Sequence, residues 1–215
     1  MLIISILLIG CKSEKAKNSS IITEVYEVDA GADDKYAKGS LKYMEQENFV
    51  GNTMVDKTFY TSDQNIRGKE IYNFEGNSIY PSGSKYYDKA GALLSTYKFK
   101  YQDSLKIQSE GYEGDTDELL RIEGFQYDTK GNMVSKTIYN SLNQKQKTFL
   151  FGHDSNGNEI KMVLLDQDDK QVLSETYEIV TLAKDGDWIE KWGYLNDGKA
   201  PVTFYHKKRS ETLGK

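Results

Sequence analysis

The chain has 215 residues, with 28 lysines and arginines against 33 aspartates and glutamates and a formal net charge of −5, which excludes a broad basic surface and makes nucleic acid an unexpected partner. Sixteen tyrosines and eight phenylalanines stand beside only two prolines, a composition that suits strands with half-apolar faces open to water rather than a thick aliphatic core. The single cysteine excludes an intrachain disulfide, so the fold has to hold by packing and backbone pairing.

The first element is the apolar run from Leu2 to Ile9, closed by Gly10 and followed by Cys11 and the polar residues Lys12, Ser13, Glu14 and Lys15. As a helix the run reaches roughly 12 Å, far short of the about 30 Å of a bilayer's hydrocarbon core, so it does not span a membrane as a helix. Leu8-Ile9-Gly10-Cys11 resembles the lipobox of bacterial lipoproteins. That resemblance implies cleavage after Gly10, a diacylglycerol on the Cys11 sulfur and usually a third acyl chain on the new amino group. Residues 1–10 are then a signal peptide, 11–21 a polar tether and 22–215 the folded domain. At about 0.8 kcal/mol per buried methylene, two or three acyl chains anchor the protein effectively permanently. Lys12 is not the aspartate that holds such lipoproteins at an inner membrane, so the resemblance implies an outer-membrane lipoprotein, facing either the periplasm or the outside. No Lys or Arg precedes Leu2, although signal peptides usually carry one, and a natural start upstream of Met1 is expected. The other reading of Cys11 is a buried structural thiol, which would need an apolar strand ending abruptly in a lysine-rich tail.

From Ile22 onward, period-2 segments recur. Val55 to Tyr60 and Glu70 to Phe74 have strand character, while Ser40 to Glu47 and Thr116 to Ile122 fit either strand or short helix. Tyr97-Lys98-Phe99-Lys100-Tyr101 and Glu175-Thr176-Tyr177-Glu178-Ile179 are expected to put aromatic or aliphatic side chains on one face and charges on the other. The leading acids or amides of successive turn clusters fall at Asp88, Asp103, Asp115, Asp128, Asn140, Asp154 and Asp166, an average of about 13 residues apart, which fits one strand and one hairpin turn each. Consecutive short turns predict consecutive antiparallel neighbours, a β-meander.

The turns also resemble one another. Tyr87-Asp88-x-x-Gly91, Tyr127-Asp128-Thr129-Lys130-Gly131-Asn132 and His153-Asp154-Ser155-Asn156-Gly157-Asn158 share the theme aromatic-Asp-x-x-Gly-Asn, with Lys184-Asp185-Gly186-Asp187 as a degenerate final copy. Over about residues 86–210 this resembles the YD repeat of Rhs-like families and of small Gram-negative lipoproteins built from it. It departs from that pattern at Ala92, His153 and Asp187.

Candidate chemistry is sparse. His153 and His206 are the only histidines, and neither lies in a catalytic motif, so no catalytic residue is assigned. Asp154, Asn156 and Asn158 have the 1, 3, 5 spacing of a calcium loop, but Glu159 stands where glycine is required and Leu165 where the bidentate glutamate belongs; a turn is the better reading, and neither metal nor cofactor is implied. Paired carboxylates for glycoside cleavage could hide among the 33 acids. Trp188, Trp192 and Tyr194 share one face of a regular strand and form the binding candidate, a platform for sugar rings or for a partner's apolar patch. The competing reading is that this face closes the sheet against Val202 to Tyr205.

The expected fold is therefore all-β, an antiparallel up-and-down meander of roughly a dozen strands, either an open curved single-layer sheet or a partly closed barrel. Tyrosine on both faces favours the open sheet, with strand lysines guarding its edges. The expected function is that of a non-enzymatic, membrane-anchored binding or assembly lipoprotein for an envelope protein or glycan. The alternatives are an immunity or antitoxin-like protein, a lipid carrier or an envelope hydrolase.

Overall fold

The computed structural model describes residues 17–31 and 35–212. Alternating side chains and closely spaced turns produce fourteen strands: β1 (Asn18–Ala30), β2 (Tyr36–Val50), β3 (Thr53–Thr61), β4 (Ile66–Asn73), β5 (Gly83–Asp88), β6 (Leu93–Gln102) and β7 (Leu105–Glu113) form the first half. The second half comprises β8 (Leu119–Tyr127), β9 (Met133–Asn140), β10 (Lys145–His153), β11 (Glu159–Leu165), β12 (Gln171–Leu182), β13 (Trp188–Leu195) and β14 (Thr203–Thr212). Each strand pairs antiparallel with its chain neighbours, and β14 returns to β1, from Asn18 opposite Thr212 to Glu27 opposite Thr203. The meander is thus a closed barrel, and the expected open sheet is corrected: with every described strand paired on both sides, no edge remains for lysines to protect. Ser40 to Glu47 lies inside β2, and Thr116 to Ile122 runs from a turn into β8, because hydrogen-bonded neighbours on both sides decide what local propensity leaves open. The first strand also begins earlier than residue 22, at Asn18.

Directly opposed residues share a face, and this sorts the two walls. Lys98, Lys100, Glu110 and Tyr112 meet on the outer wall, where Lys100 and Tyr112 both donate to Glu110. Asp56 and Lys69, and Glu24 and Lys208, form further outer ion pairs. Such a wall differs from the continuous apolar band that transmembrane barrels present to lipid. The tyrosines do occupy both faces, but the inner ones line a lumen.

Along the chain the connections alternate between two rims. The links β1–β2, β3–β4, β5–β6 and their successors to β13–β14 lie at the distal rim; Asn18, Thr212 and the intervening links lie at the opposite, terminal rim. The repeated turns carry out their own hydrogen bonding. Asp154 Oδ1 accepts from the amides of Asn156 and Asn158, at 2.8 and 2.9 Å, and Oδ2 from the Asn158 side chain at 2.9 Å; Asp128 is bonded in the same way by Lys130 and Asn132. Both Asp154 oxygens are therefore occupied by the turn itself. Gly157 adopts φ 86°, and a Cβ there would come within 2.9 Å of Asn132 Oδ1. Only glycine suits both constraints. The repeat's asparagine thus reaches the next turn along the terminal rim: Asn158 donates to the Gly186 carbonyl at 2.9 Å and accepts from the Trp188 amide at 3.1 Å. Asp187, which replaces asparagine in the last copy, bonds Lys207 and Arg209 of β14 instead.

Candidate functional site in the barrel lumen

The inner faces of β3 to β9 enclose a cavity of about 480 Å³. Six rings wall it, those of Phe59, Tyr72, Tyr86, Tyr97, Phe99 and Phe125, and six charged groups join them: Arg67, Glu70, Lys106, Arg121, Glu123 and Lys136. The register explains the convergence. Phe99 opposes Ser109, Ser109 opposes Glu123, and Phe125 opposes Lys136, so rings, a small hydroxyl and charges form one inner course. Gly111 stands beside the Tyr97 ring, where a Cβ would come within 2.9 Å of it.

Charge is unevenly committed in this cavity. Glu123, whose side chain is only 8% exposed, lies 3.1 Å from Arg121 Nε and 3.2 Å from Lys136 Nζ; the first is an ion pair without hydrogen-bond alignment at Oε1. Glu70 accepts from Ser84 at 2.5 Å. Lys106 Nζ sits 4.4 Å from the centre of Phe99 and 4.8 Å from that of Phe125, and among the described residues no carboxylate oxygen lies within 4.0 Å of it or of Arg67. Burial pushes the Lys106 pKa down, while Glu123 and Glu70 pull it part of the way back. Arg67 and Arg121, near the starts of β4 and β8, mark the distal mouth, whereas Lys106, near the start of β7, lies toward the terminal rim. There the β4–β5 connection brings Tyr80 against Tyr101, with 5.6 Å between ring centres.

The other half of the lumen holds a second cluster of rings and charges. Tyr205 and Tyr177 donate to Glu175 at 2.8 and 3.0 Å, and Lys191, 6% exposed, lies among Tyr177, Trp188 and Tyr205. Glu175 belongs to the same face as Tyr177, not to the opposite charged face expected for that segment.

The expected Trp188, Trp192 and Tyr194 platform is not assembled. A bulge at Ile189 of β13, opposite Thr181 and Leu182 of β12, breaks the alternation along β13: Trp188 turns inward onto Tyr205 and Lys207, while Trp192 packs outward on Phe204 with ring centres 4.6 Å apart and Tyr194 donates to Glu178. Packing of Trp192 against β14 matches the competing expectation that this face closes against Val202 to Tyr205. Cys11 lies outside the described residues. His206 faces Glu24 at 3.2 Å on the outer wall, and His153 ends β10 opposite Glu159.

The sequence reading missed the six charged residues of the cavity because it assigned strand charges to solvent. A signal was present in β8, where Arg121, Glu123, Phe125 and Tyr127 alternate with Ile122, Gly124 and Gln126. Charge and ring share one face there, which is the mark of a wet interior rather than of a sheet with one dry side.

No protein-family model matches the chain, and no curated protein matches it. Among solved structures the chain is similar to a porin-like protein from Bacteroides uniformis, at 10% identity over 90% of this chain and 96% of that one, with a TM-score of 0.40. It is also similar to the LolA-superfamily protein NE2245 from Nitrosomonas europaea, at 8% identity over 94% and 88% of the two chains and a TM-score of 0.31. A third likeness is to the Photorhabdus luminescens Tc holotoxin pore, at 13% identity and a TM-score of 0.32, covering 88% of this chain but 12% of that one. At TM-scores this low the likenesses carry no argument about what this chain does.

Proposed function

We propose that the protein is an envelope lipoprotein, anchored through Cys11, whose barrel is a non-enzymatic glycan-binding module. The observation that carries this reading is the cavity of about 480 Å³ walled by rings and charged groups, a volume and a lining suited to a small polar ligand and to stacking on sugar rings. Its mouth, marked by Arg67 and Arg121, opens at the rim away from Asn18, so an anchor upstream of Asn18 leaves the mouth facing away from the membrane. Charges in the lumen weigh against a lipid carrier, whose interior would be apolar. The YD-type turns and the lipobox support the same placement in a Gram-negative envelope.

The test is calorimetric titration of the full-length protein in detergent with neutral and acidic mono- and disaccharides, together with labelled-palmitate incorporation into wild type and Cys11→Ala. Saccharide binding and label lost in the variant are expected. Absence of saccharide binding, with a stoichiometric envelope protein captured instead, would replace this reading by the assembly or immunity one. A second reading, glycoside hydrolysis, is favoured by Glu70 and Glu123 lining one cavity; mass spectrometry of the titrated disaccharides decides it, since cleavage would convert the binder into a hydrolase.

A further inference from the structure

The lumen cavity carries four cations against two carboxylates, an excess of positive charge inside a chain whose net charge is −5. Lys136 and Arg121 are committed to Glu123. Lys106 is not committed to any described carboxylate, and it is placed at the inner end of the cavity between two ring faces. Rings beside an available ammonium make a pocket for a group that is flat or ring-shaped and negatively charged. We infer that the cavity takes a saccharide bearing a carboxylate, with the anionic group held by Lys106 and Arg67 drawing it in at the mouth. The inference rests on the glycan reading and deepens it by naming the ligand class.

The geometry assigns each part a task. Sugar faces lie on lining rings that Lys106 does not cover, such as Tyr86, the carboxylate accepts from Lys106 Nζ in place of water, and Glu70, bonded to Ser84, remains to accept from sugar hydroxyls. A cavity of about 480 Å³ is within the range of small-ligand pockets and admits a mono- or disaccharide, not a long polymer threaded through the barrel.

The experiment is calorimetric titration of the full-length protein in detergent with glucuronate, galacturonate and digalacturonate, and with their neutral counterparts glucose, galactose and galactobiose. The acids are expected to bind about tenfold more tightly than the neutral sugars, the effect of one charge-assisted hydrogen bond. Lys106→Met removes that advantage, and Lys98→Met, on the outer wall, leaves it. Raising NaCl from about 50 to about 500 mM weakens acid binding alone, a readout that needs no variant to fold; Arg67→Met provides a second variant. Equal affinity for acid and neutral sugars would overturn the inference and leave the glycan reading standing. Binding of neither class overturns both.

Discussion

The ammonium of Lys191 stands 3.6 Å from the centre of the Tyr177 ring, with Trp188 at 4.7 Å and Tyr205 at 5.0 Å around it. These ring faces take the place of water around the charge. Burial brings the Lys191 pKa down to about 8, against the opposing pull of Glu159 and Glu175.

That depression sets a pH dependence of stability. The ordinary lysine value is 10.5, so between about 8 and 10.5 the unfolded chain binds a proton that the folded chain has released, and stability rises with pH through this window. From about pH 7.5 to about pH 9.5 wild type should gain on the order of 2 kcal/mol relative to Lys191→Met. Urea denaturation midpoints of both proteins at the two pH values check this; parallel midpoints would show that Lys191 is not desolvated.

Gly193 opposes Tyr177 across the β12–β13 ladder, and a Cβ on it would overlap Glu175 Oε1 and crowd the Tyr205 ring. Gly193→Ala forces the carboxylate away from the two tyrosine hydroxyls it accepts from, with a loss of about 1–3 kcal/mol expected. Gly124→Ala is the comparison: its Cβ would meet nothing closer than Tyr139 Cε2 at 3.9 Å, and its stability should stay within about 1 kcal/mol of wild type. Equal losses in the two variants by thermal unfolding would refute the steric account.

Asn158 is 5% exposed and ties one turn to the next through the Gly186 carbonyl and the Trp188 amide. Asn158→Ala leaves both unpaired, and a loss of about 1–3 kcal/mol is expected in urea denaturation. An unchanged midpoint would mean that the two turns are held by other contacts.

The same asparagine acts on Asp154. Its side-chain amide is the largest influence holding the Asp154 pKa below the usual 3.8, with the Asn158 and Asn156 backbone amides adding to it. A carboxyl with a depressed folded pKa contributes stability above its unfolded value and loses it as pH falls through the folded one. In a carbon-13 titration the Asp154 carboxyl should therefore move up toward 3.8 in Asn158→Ala. No movement would rule out that hydrogen bond in solution.

The local grammar of this fold was legible because its causes are local. Asp128-Thr129-Lys130-Gly131-Asn132 encodes a turn through one carboxylate and one residue of positive φ, and Tyr97-Lys98-Phe99-Lys100-Tyr101 encodes alternation. Closure was not legible, since nothing near Asn18 signals pairing with Thr212. The lumen was hidden for a different reason: Glu123, Lys106 and Lys136 read as solvated charges, and only a closed ring turns them inward. Trp188 parted from Trp192 because a bulge, which follows from the pairing of β12 with β13, shifted one residue to the other face.

β1 begins and β14 ends at one rim, and the seam between these two strands differs in kind from every other pairing. All other ladders join strands that are consecutive in the chain, whereas the bond from Lys208 to Glu24 spans 184 residues. A growing chain can zip its hairpins as they emerge, but the ring cannot shut until the last strand has been made. Until then β1 offers an unpaired backbone edge to whatever strand it meets. Emergence of β14 is thus also the step that protects the protein from its own copies, and a chain cut short before Thr203 would remain an open, self-associating sheet.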